Sequence, residues 1–278
     1  MTLKIVTDST CDLPANQPDT GAITIVPLSL TINGENYVDG VDISRAEFYR
    51  RLPELNPPPT TGAPGPDQFR QVYEQLADDG ATEILSIHVA ERLSTTVNSA
   101  RLAAKNFNRV PVTVFDSRQL SMGLGFQVLT ALRLAGEGLP AAEITVRLAE
   151  MIPRIYLSAA LDSLEYLRRS GRVSGLLAGF GTLLQIKPIL SMYDGEPALE
   201  RVRTRKRALA RLVEMLDSLG PLEQAALLHT GAPEQAEAFR QQVAHLLPPG
   251  NVPAVEATPV IGTHVGPGIA GFVVVQQE

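Results

Sequence analysis

Tryptophan is absent from these 278 residues, aromatic residues make up only 5%, and cysteine occurs once, as Cys11. So few rings leave little with which to stack bases, and a net charge of −6 removes the basic surface that nucleic acid or an anionic membrane demands of its main partner. A single cysteine permits no internal disulfide and lacks the second thiol of a redox motif, so Cys11 reads as a small packing residue. No uncharged apolar run approaches the roughly 18 residues of a membrane span, which leaves transient membrane contact at most. Met1-Thr2-Leu3-Lys4 leads directly into an apolar strand without a signal-like segment, so a reducing cytoplasm is the expected compartment. The four histidines lie in distant segments with no i, i+4 pair and no matching carboxylates, and neither a metal site nor a cofactor is expected. No heptad pattern argues for self-association, so a monomer is expected.

What is present is an alternation of apolar strands and amphipathic helices. Residues 3–7, 84–89 and 112–115 read as buried strands, with helices predicted over 66–76, from Ser94 as a cap through 104, over 120–135 and over 141–151. Such alternation implies parallel pairing and places the loops after the strands at one end of the sheet, where ligands bind. Residues 23–26 and 28–32 add strands, Asn33-Gly34 reads as a type I′ hairpin turn, and Ser44 with Glu47 makes a capping box. Beyond Pro153 the pattern changes to α+β: strands over 155–157, 186–192, 198–202, 227–229 and 252–257, with helices over 162–168, 204–216 and 233–246. The length suits two domains, expected at 1–153 and 154–278.

Two loops carry the chemistry. Thr60-Thr61-Gly62-Ala63-Pro64 follows three prolines and offers two hydroxyls on a segment that is neither helix nor central strand. Thr263-His264-Val265-Gly266-Pro267-Gly268 sets an imidazole among glycines that permit close backbone approach, and reads either as a ligand-facing wall or as a loop tied together by its histidine. Hydroxyls and a histidine suit a small anion such as a carboxylate. No base, metal or activated nucleophile accompanies them, so no catalytic residue is expected and binding is favoured over catalysis. Asp8-Ser9-Thr10 would need a nearby base to act as a nucleophile, and otherwise satisfies its own loop. Residues 171–181 are glycine-rich but match neither a dinucleotide fingerprint nor a P-loop. Arg168, Arg169 and Arg172 form one positive patch and Arg201, Arg203, Arg205, Lys206 and Arg207 a second; each is either solvated charge or a docking surface for an acidic partner.

In order along the chain, Ile5-Val6-Thr7-Asp8-Ser9-Thr10-Cys11-Asp12-Leu13-Pro14, Thr60-Thr61 with Pro64, Leu93-Ser94 with Ser99-Ala100, Leu164-Glu165-Tyr166-Leu167 through Gly171-Arg172, and residues 262–268 resemble the DegV family. The resemblance implies a Rossmann-like α/β parallel-sheet N-terminal domain, an α+β C-terminal domain and a ligand tunnel between them that takes a long-chain fatty acid. It further implies a bacterial system in which the bound acid is presented to a separate ATP-dependent fatty acid kinase that forms an acyl phosphate for phospholipid synthesis. On matching positions, Thr61 and His264 resemble the carboxylate-binding pair, Ser94 lines the same end, and Thr60, Gly62, Thr263, Gly266 and Gly268 flank them. Arg172, with Arg169 beside it, resembles the kinase-docking position. The sequence departs from the family pattern at Gly62, where a second hydroxyl is common, and at Ala90-Glu91-Arg92. Two other readings of the residues stand beside this one: a phosphotransfer enzyme carrying phosphate on His264, and a regulatory module that docks protein through its arginines.

Overall fold

The computed structural model describes residues 2–14, 22–177 and 186–278. In the first half the elements run β1 (Leu3–Asp8), β2 (Ile23–Val26), β3 (Ser29–Ile32), β4 (Glu35–Val38), α1 (Arg45–Arg51), β5 (Thr60–Gly62), α2 (Pro66–Asp78), β6 (Glu83–His88), α3 (Thr96–Lys105), β7 (Val112–Asp116), α4 (Met122–Gly136) and α5 (Ala141–Met151). Four of the strands form an all-parallel sheet in the order β2-β1-β6-β7. Its strands follow the period-two rule: Ile5, Leu85 and Ile87 pack toward α4 and α5, while Val6 and Ile84 pack toward α2 and α3. Each such side chain, fully buried, contributes about 1.5–3 kcal/mol of transfer free energy. The strand order reverses between β1 and β6, and the loops leaving those two strands open a crevice there.

A second, antiparallel sheet of order β4-β3-β5 lies beside the first. Asn33 and Gly34, with φ of 52° and 86°, make the tight β3–β4 turn, and Ser44 caps α1 by accepting the Glu47 N–H. Residues 60–62, expected in a loop, instead pair with β3 through Thr61 and Leu30. The preceding prolines bar a central strand, yet an edge strand needs its ladder on one side only.

The second half contains β8 (Ile155–Ala160), α6 (Glu165–Ser170), α7 (Ser174–Leu177), β9 (Ile189–Tyr193), β10 (Glu196–Glu200), α8 (Arg205–Asp217), β11 (Leu222–His229), α9 (Pro233–Val243), β12 (Ala254–Glu256), α10 (Pro259–Val265) and β13 (Ala270–Gln276). Its six strands lie in the order β10-β9-β8-β13-β11-β12, antiparallel except for β11 with β12. One face packs Phe272 and Val274 against Leu212 and Leu216 of α8 and Phe239 of α9. The other packs Leu157, Val273 and Val275 against Met122 and Phe126 of α4. Because Leu124 and Val128 of α4 join the core of the parallel sheet, this one helix lies between the two large sheets. The mixed α/β class read from the sequence is the class observed.

Two further segments differ from the sequence-based expectation. Thr263 and His264 are not in a loop but in the last turn of α10, which starts with Pro259 at its first position and ends at Gly266. Strand β13, for which the sequence analysis gives no strand, occupies the middle of its sheet. The glycine-rich stretch is described as far as residue 177, and its remainder lies outside the described residues. Among the described residues no helix is long and apolar enough to cross a membrane, and no three side chains form a metal-ligating group.

Candidate functional site

A cavity of about 450 Å³ opens at the switch between β1 and β6, within the size range of sites for small organic ligands. Thr10, after β1, and Val89 with residues 91–95, after β6, line it. Apolar lining comes from Leu28, Leu93, Leu120, Leu157, Met192 and Val260, contributed by all three sheets and their connections. Thr61, His264 and Arg172 meet where β5, α10 and the segment after α6 converge, while Glu91, Arg92, Ser94 and Thr95 line the cavity from the loop after β6.

Thr61 Oγ1 lies 2.9 Å from His264 Nε2 and accepts a hydrogen bond of 3.3 Å from Arg172 Nη2. Burial, reinforced by the Arg172 charge, pushes the His264 imidazole down to about 4, so the ring is neutral near pH 7. Its Nδ1 is buried without a hydrogen-bond partner. Of the two neutral tautomers, the one with the proton on Nε2 leaves only a bare lone pair unpaired, whereas the other would bury an orphaned N–H, the rarer and costlier defect. With Nε2–H and Arg172 both donating to Thr61, the two lone pairs of that hydroxyl are used and its own proton is free to donate into the cavity. The arrangement therefore offers hydrogen-bond donors to an anionic oxygen. A ring titrating near 4 is a poor proton acceptor at neutral pH, so His264 is a weak base in this arrangement.

Two tyrosines set the position of α10. At Gly262 an added Cβ would fall 2.5–2.8 Å from the Tyr49 ring and hydroxyl, and at Gly266, which has φ of 82°, it would fall 2.4 Å from the Tyr166 ring. The missing side chains let both rings lie against the helix, and Tyr49 OH donates to the Ala257 carbonyl at 2.7 Å.

Of the residues singled out in the sequence, Thr61, Ser94, Arg172 and His264 line this one cavity. Ser94 is not the N-cap of α3: Thr95 holds that position, while Ser94 Oγ accepts the Thr96 N–H and pairs with the Thr96 hydroxyl at 2.8 Å. Thr60 is exposed, the Gly62 carbonyl accepts from Ser29 Oγ, and Thr263 Oγ1 donates back to Pro259 within α10, so these three lie off the lining. Gly266 closes the helix, and Gly268 donates its N–H to the Thr230 carbonyl. Arg169 pairs with Glu165 and lies over Tyr166 instead of lining the cavity. In the second arginine patch, Arg207 pairs with Glu214 and Arg205 donates to the Ala160 carbonyl.

Behind the cavity lie buried polar groups, of which the sequence singles out Asp8 and Thr10 only as part of a loop that satisfies itself. Asp8 accepts from Thr10 and from the Val89 N–H and pairs with His88, which contacts Ser86 at 2.7 Å. This has the outline of a nucleophile-base-acid set, but Asp8, His88 and Ser86 are fully buried and the Ser86 hydroxyl accepts from Tyr73, so the set ties two cavity loops together. Asp12, also fully buried, accepts the Thr258 N–H at the start of α10. Nothing in a lone aspartate's sequence context signals burial; the density of short polar residues after β1 was the available hint.

A doubly wound sheet is joined here to a mostly antiparallel one, with a mainly apolar cavity that has the Thr61 hydroxyl, the His264 imidazole and the Arg172 guanidinium at one end. The chain belongs to the DegV family, described as "Uncharacterised protein, DegV family", whose model matches residues 2–277. A DegV domain-containing protein of Deinococcus radiodurans is 37% identical over 278 residues, covering 98% of this chain and 97% of that one. Among solved structures, a DegV family protein from Thermus thermophilus described for its fatty acid binding superposes with a TM-score of 0.90 at 33% identity, covering 100% of both chains. DegV from Bacillus subtilis, described as a fatty acid binding protein, gives 0.90 at 29% identity, again over 100% of both.

Proposed function

We propose that this protein binds a long-chain fatty acid, with the tail in the apolar cavity and the carboxylate at Thr61, His264 and Arg172, and presents that carboxylate to a separate ATP-dependent fatty acid kinase. The observation that carries the binding reading is the Thr61 hydroxyl, which meets both His264 Nε2 and the Arg172 guanidinium at one end of a mainly apolar cavity. Fatty acid binding by the similar proteins from Thermus thermophilus and Bacillus subtilis supports the same ligand class. Burial of a long acyl chain at about 0.8 kcal/mol per CH₂ contributes on the order of 10 kcal/mol before ordering costs, and each charge-assisted hydrogen bond adds about 1.5–3 kcal/mol. The tail therefore dominates affinity and the head sets orientation. Ser94 lines the head region, and Gly62 leaves one hydroxyl contact to a backbone N–H or water. In the kinase step a carboxylate oxygen attacks the γ-phosphorus of ATP and ADP leaves; this chain contributes the exposed Arg172 and Arg169 as the docking charge near the head.

Native mass spectrometry of the purified protein, paired with solvent extraction, tests the binding half: one fatty acid per chain is expected. A chain that comes empty and stays empty with added saturated and unsaturated acids overturns it. For the kinase half, loaded protein is mixed with ATP and a bacterial fatty acid kinase and the acyl phosphate is trapped with hydroxylamine. No hydroxamate from a kinase active on its own binding protein rejects presentation while leaving binding intact.

A further inference from the structure

Helix α10 is two turns long, and much of what holds its first turn comes from the other half of the chain. Asp12 accepts the Thr258 N–H at Oδ1 over 2.8 Å and the Ser121 hydroxyl at Oδ2 over 2.6 Å. Arg45 places Nη2 3.5 Å from Asp12 Oδ1 and donates through Nη1 to the Glu256 carbonyl. Tyr49, one turn further along α1, donates to the Ala257 carbonyl. Three consecutive residues, 256–258, are thus gripped by Asp12, Arg45 and Tyr49. Six residues beyond Thr258 on the same rigid helix stands His264, whose ring meets Thr61.

We propose that Asp12 is a positioning residue for the polar end of the cavity: by holding the first turn of α10 it sets where His264, on the last turn, meets the Thr61 hydroxyl. The functional weight of this inference rests on the carboxylate reading of that end. The grip depends on charge, because a hydrogen bond to an ionised carboxylate is roughly twice as strong as one to a neutral acceptor. Burial pushes the Asp12 carboxyl up to about 7; Arg45, Ser121 and the Thr258 N–H draw it down, while Asp39 adds to the rise. The ionisable groups facing this cluster are Arg45 and Tyr49 of α1, Cys11 beside Asp12, Asp39, and Glu256 and His229 of the second half. Burial holds Cys11 protonated, up to about 12, keeps Tyr49 protonated, and pushes His229 down toward its neutral form. Asp39 is raised by burial as well; the Ser9 and Thr258 hydroxyls and the Val260 N–H favour its charge without reaching close hydrogen-bond geometry. Asp12 therefore changes charge near neutral pH, holding α10 firmly above about 7 and loosely below.

The test follows the His264 ring nitrogens by 15N NMR in the full-length, ligand-free protein between about pH 5.5 and about pH 8.5, a window that brackets Asp12 and lies above His264's own titration. Wild type is expected to bend near pH 7, D12N to be flat, and S121A to bend at higher pH, since the lost hydrogen bond favoured the charged carboxylate. A flat wild-type profile, a bend that survives in D12N, or an unmoved midpoint in S121A overturns the proposal. Should D12N fail to fold, wild type and S121A decide it. Fatty acid binding measured on the same samples separates the two readings: a flat His264 in a protein that binds fatty acid rejects positioning alone, and a responsive His264 in a protein that takes none rejects the carboxylate site alone.

Discussion

Thr61 has one proton to give and two lone pairs to offer, and the fold occupies the lone pairs with His264 and Arg172. Replacing it with alanine removes the donor aimed at the ligand while leaving the apolar cavity whole. T61A is expected to bind fatty acid about tenfold more weakly, equal to about 1.4 kcal/mol, and to lose more in acyl phosphate formation, where orientation matters most. Calorimetric titration beside the hydroxylamine assay checks this, and an unchanged transfer rate refutes it. His264 gives a second prediction. Its ring is held down at about 4 against 6.5 in the unfolded chain, so the unfolded state binds the proton first and stability falls as pH drops from about 6.5 through 4, by up to about 3 kcal/mol. A carboxylate bound beside the ring favours its charged form, so NMR titration is expected to show the His264 pKa rising on fatty acid addition.

At the scale of elements, α10 depends on what its glycines omit. G262A puts a methyl into the Tyr49 ring and is expected to cost about 1–3 kcal/mol in denaturant unfolding; G266A, which adds a positive φ to a collision with Tyr166, should cost more. The same glycines explain why the helix was hard to read. Thr258 followed by Pro259 is a fair start signal, yet Gly262 inside the seven residues and Gly266 directly after them argue for a loop. Strand β5 was hidden for another reason: three residues carry no period, and its pairing depends on β3, some thirty positions earlier. Strand β13 was legible in principle, since Phe272-Val273-Val274-Val275 is a strong strand former. The longer elements were read well because burial imposes their period, as in the Ile5 and Val6 alternation. Four of the cavity's lining residues, Thr61, Ser94, Arg172 and His264, are legible in local motifs, but the burial of Asp8, Asp12 and Asp39 is not, since burial is a property of the assembled chain.

For the molecule as a whole, α4 is the shared wall. Met122 and Phe126 serve one sheet and Leu124 and Val128 the other, so neither core survives loss of the helix. Thermal unfolding followed by far-UV dichroism and by tyrosine fluorescence is expected to give one coincident transition. Fatty acid at a hundred times its Kd should raise stability by about 2.7 kcal/mol. Asp12 works against stability in the folded chain: raised from 3.8 to about 7, it keeps its proton longer than the unfolded chain does, so its contribution worsens as pH rises from about 4 through 7. D12N is accordingly expected to be more stable than wild type at pH 8, by up to about 4 kcal/mol, with the difference vanishing near pH 4. A substitution that strengthens the fold while loosening His264 is the signature of a residue retained for a site.

Strand β13 lies between β8 and β11, although it follows every other strand in the chain. Synthesis therefore produces the two flanks of the sheet well before the piece that joins them, and His264 is made only shortly earlier. A growing chain can assemble its parallel sheet early, but the apolar face of α4 that meets the second sheet stays partly uncovered until Val273 and Val275 arrive. The ligand cavity is thus among the last features to form, and a chaperone that shields α4 during that interval would be guarding the surface on which the two sheets will meet.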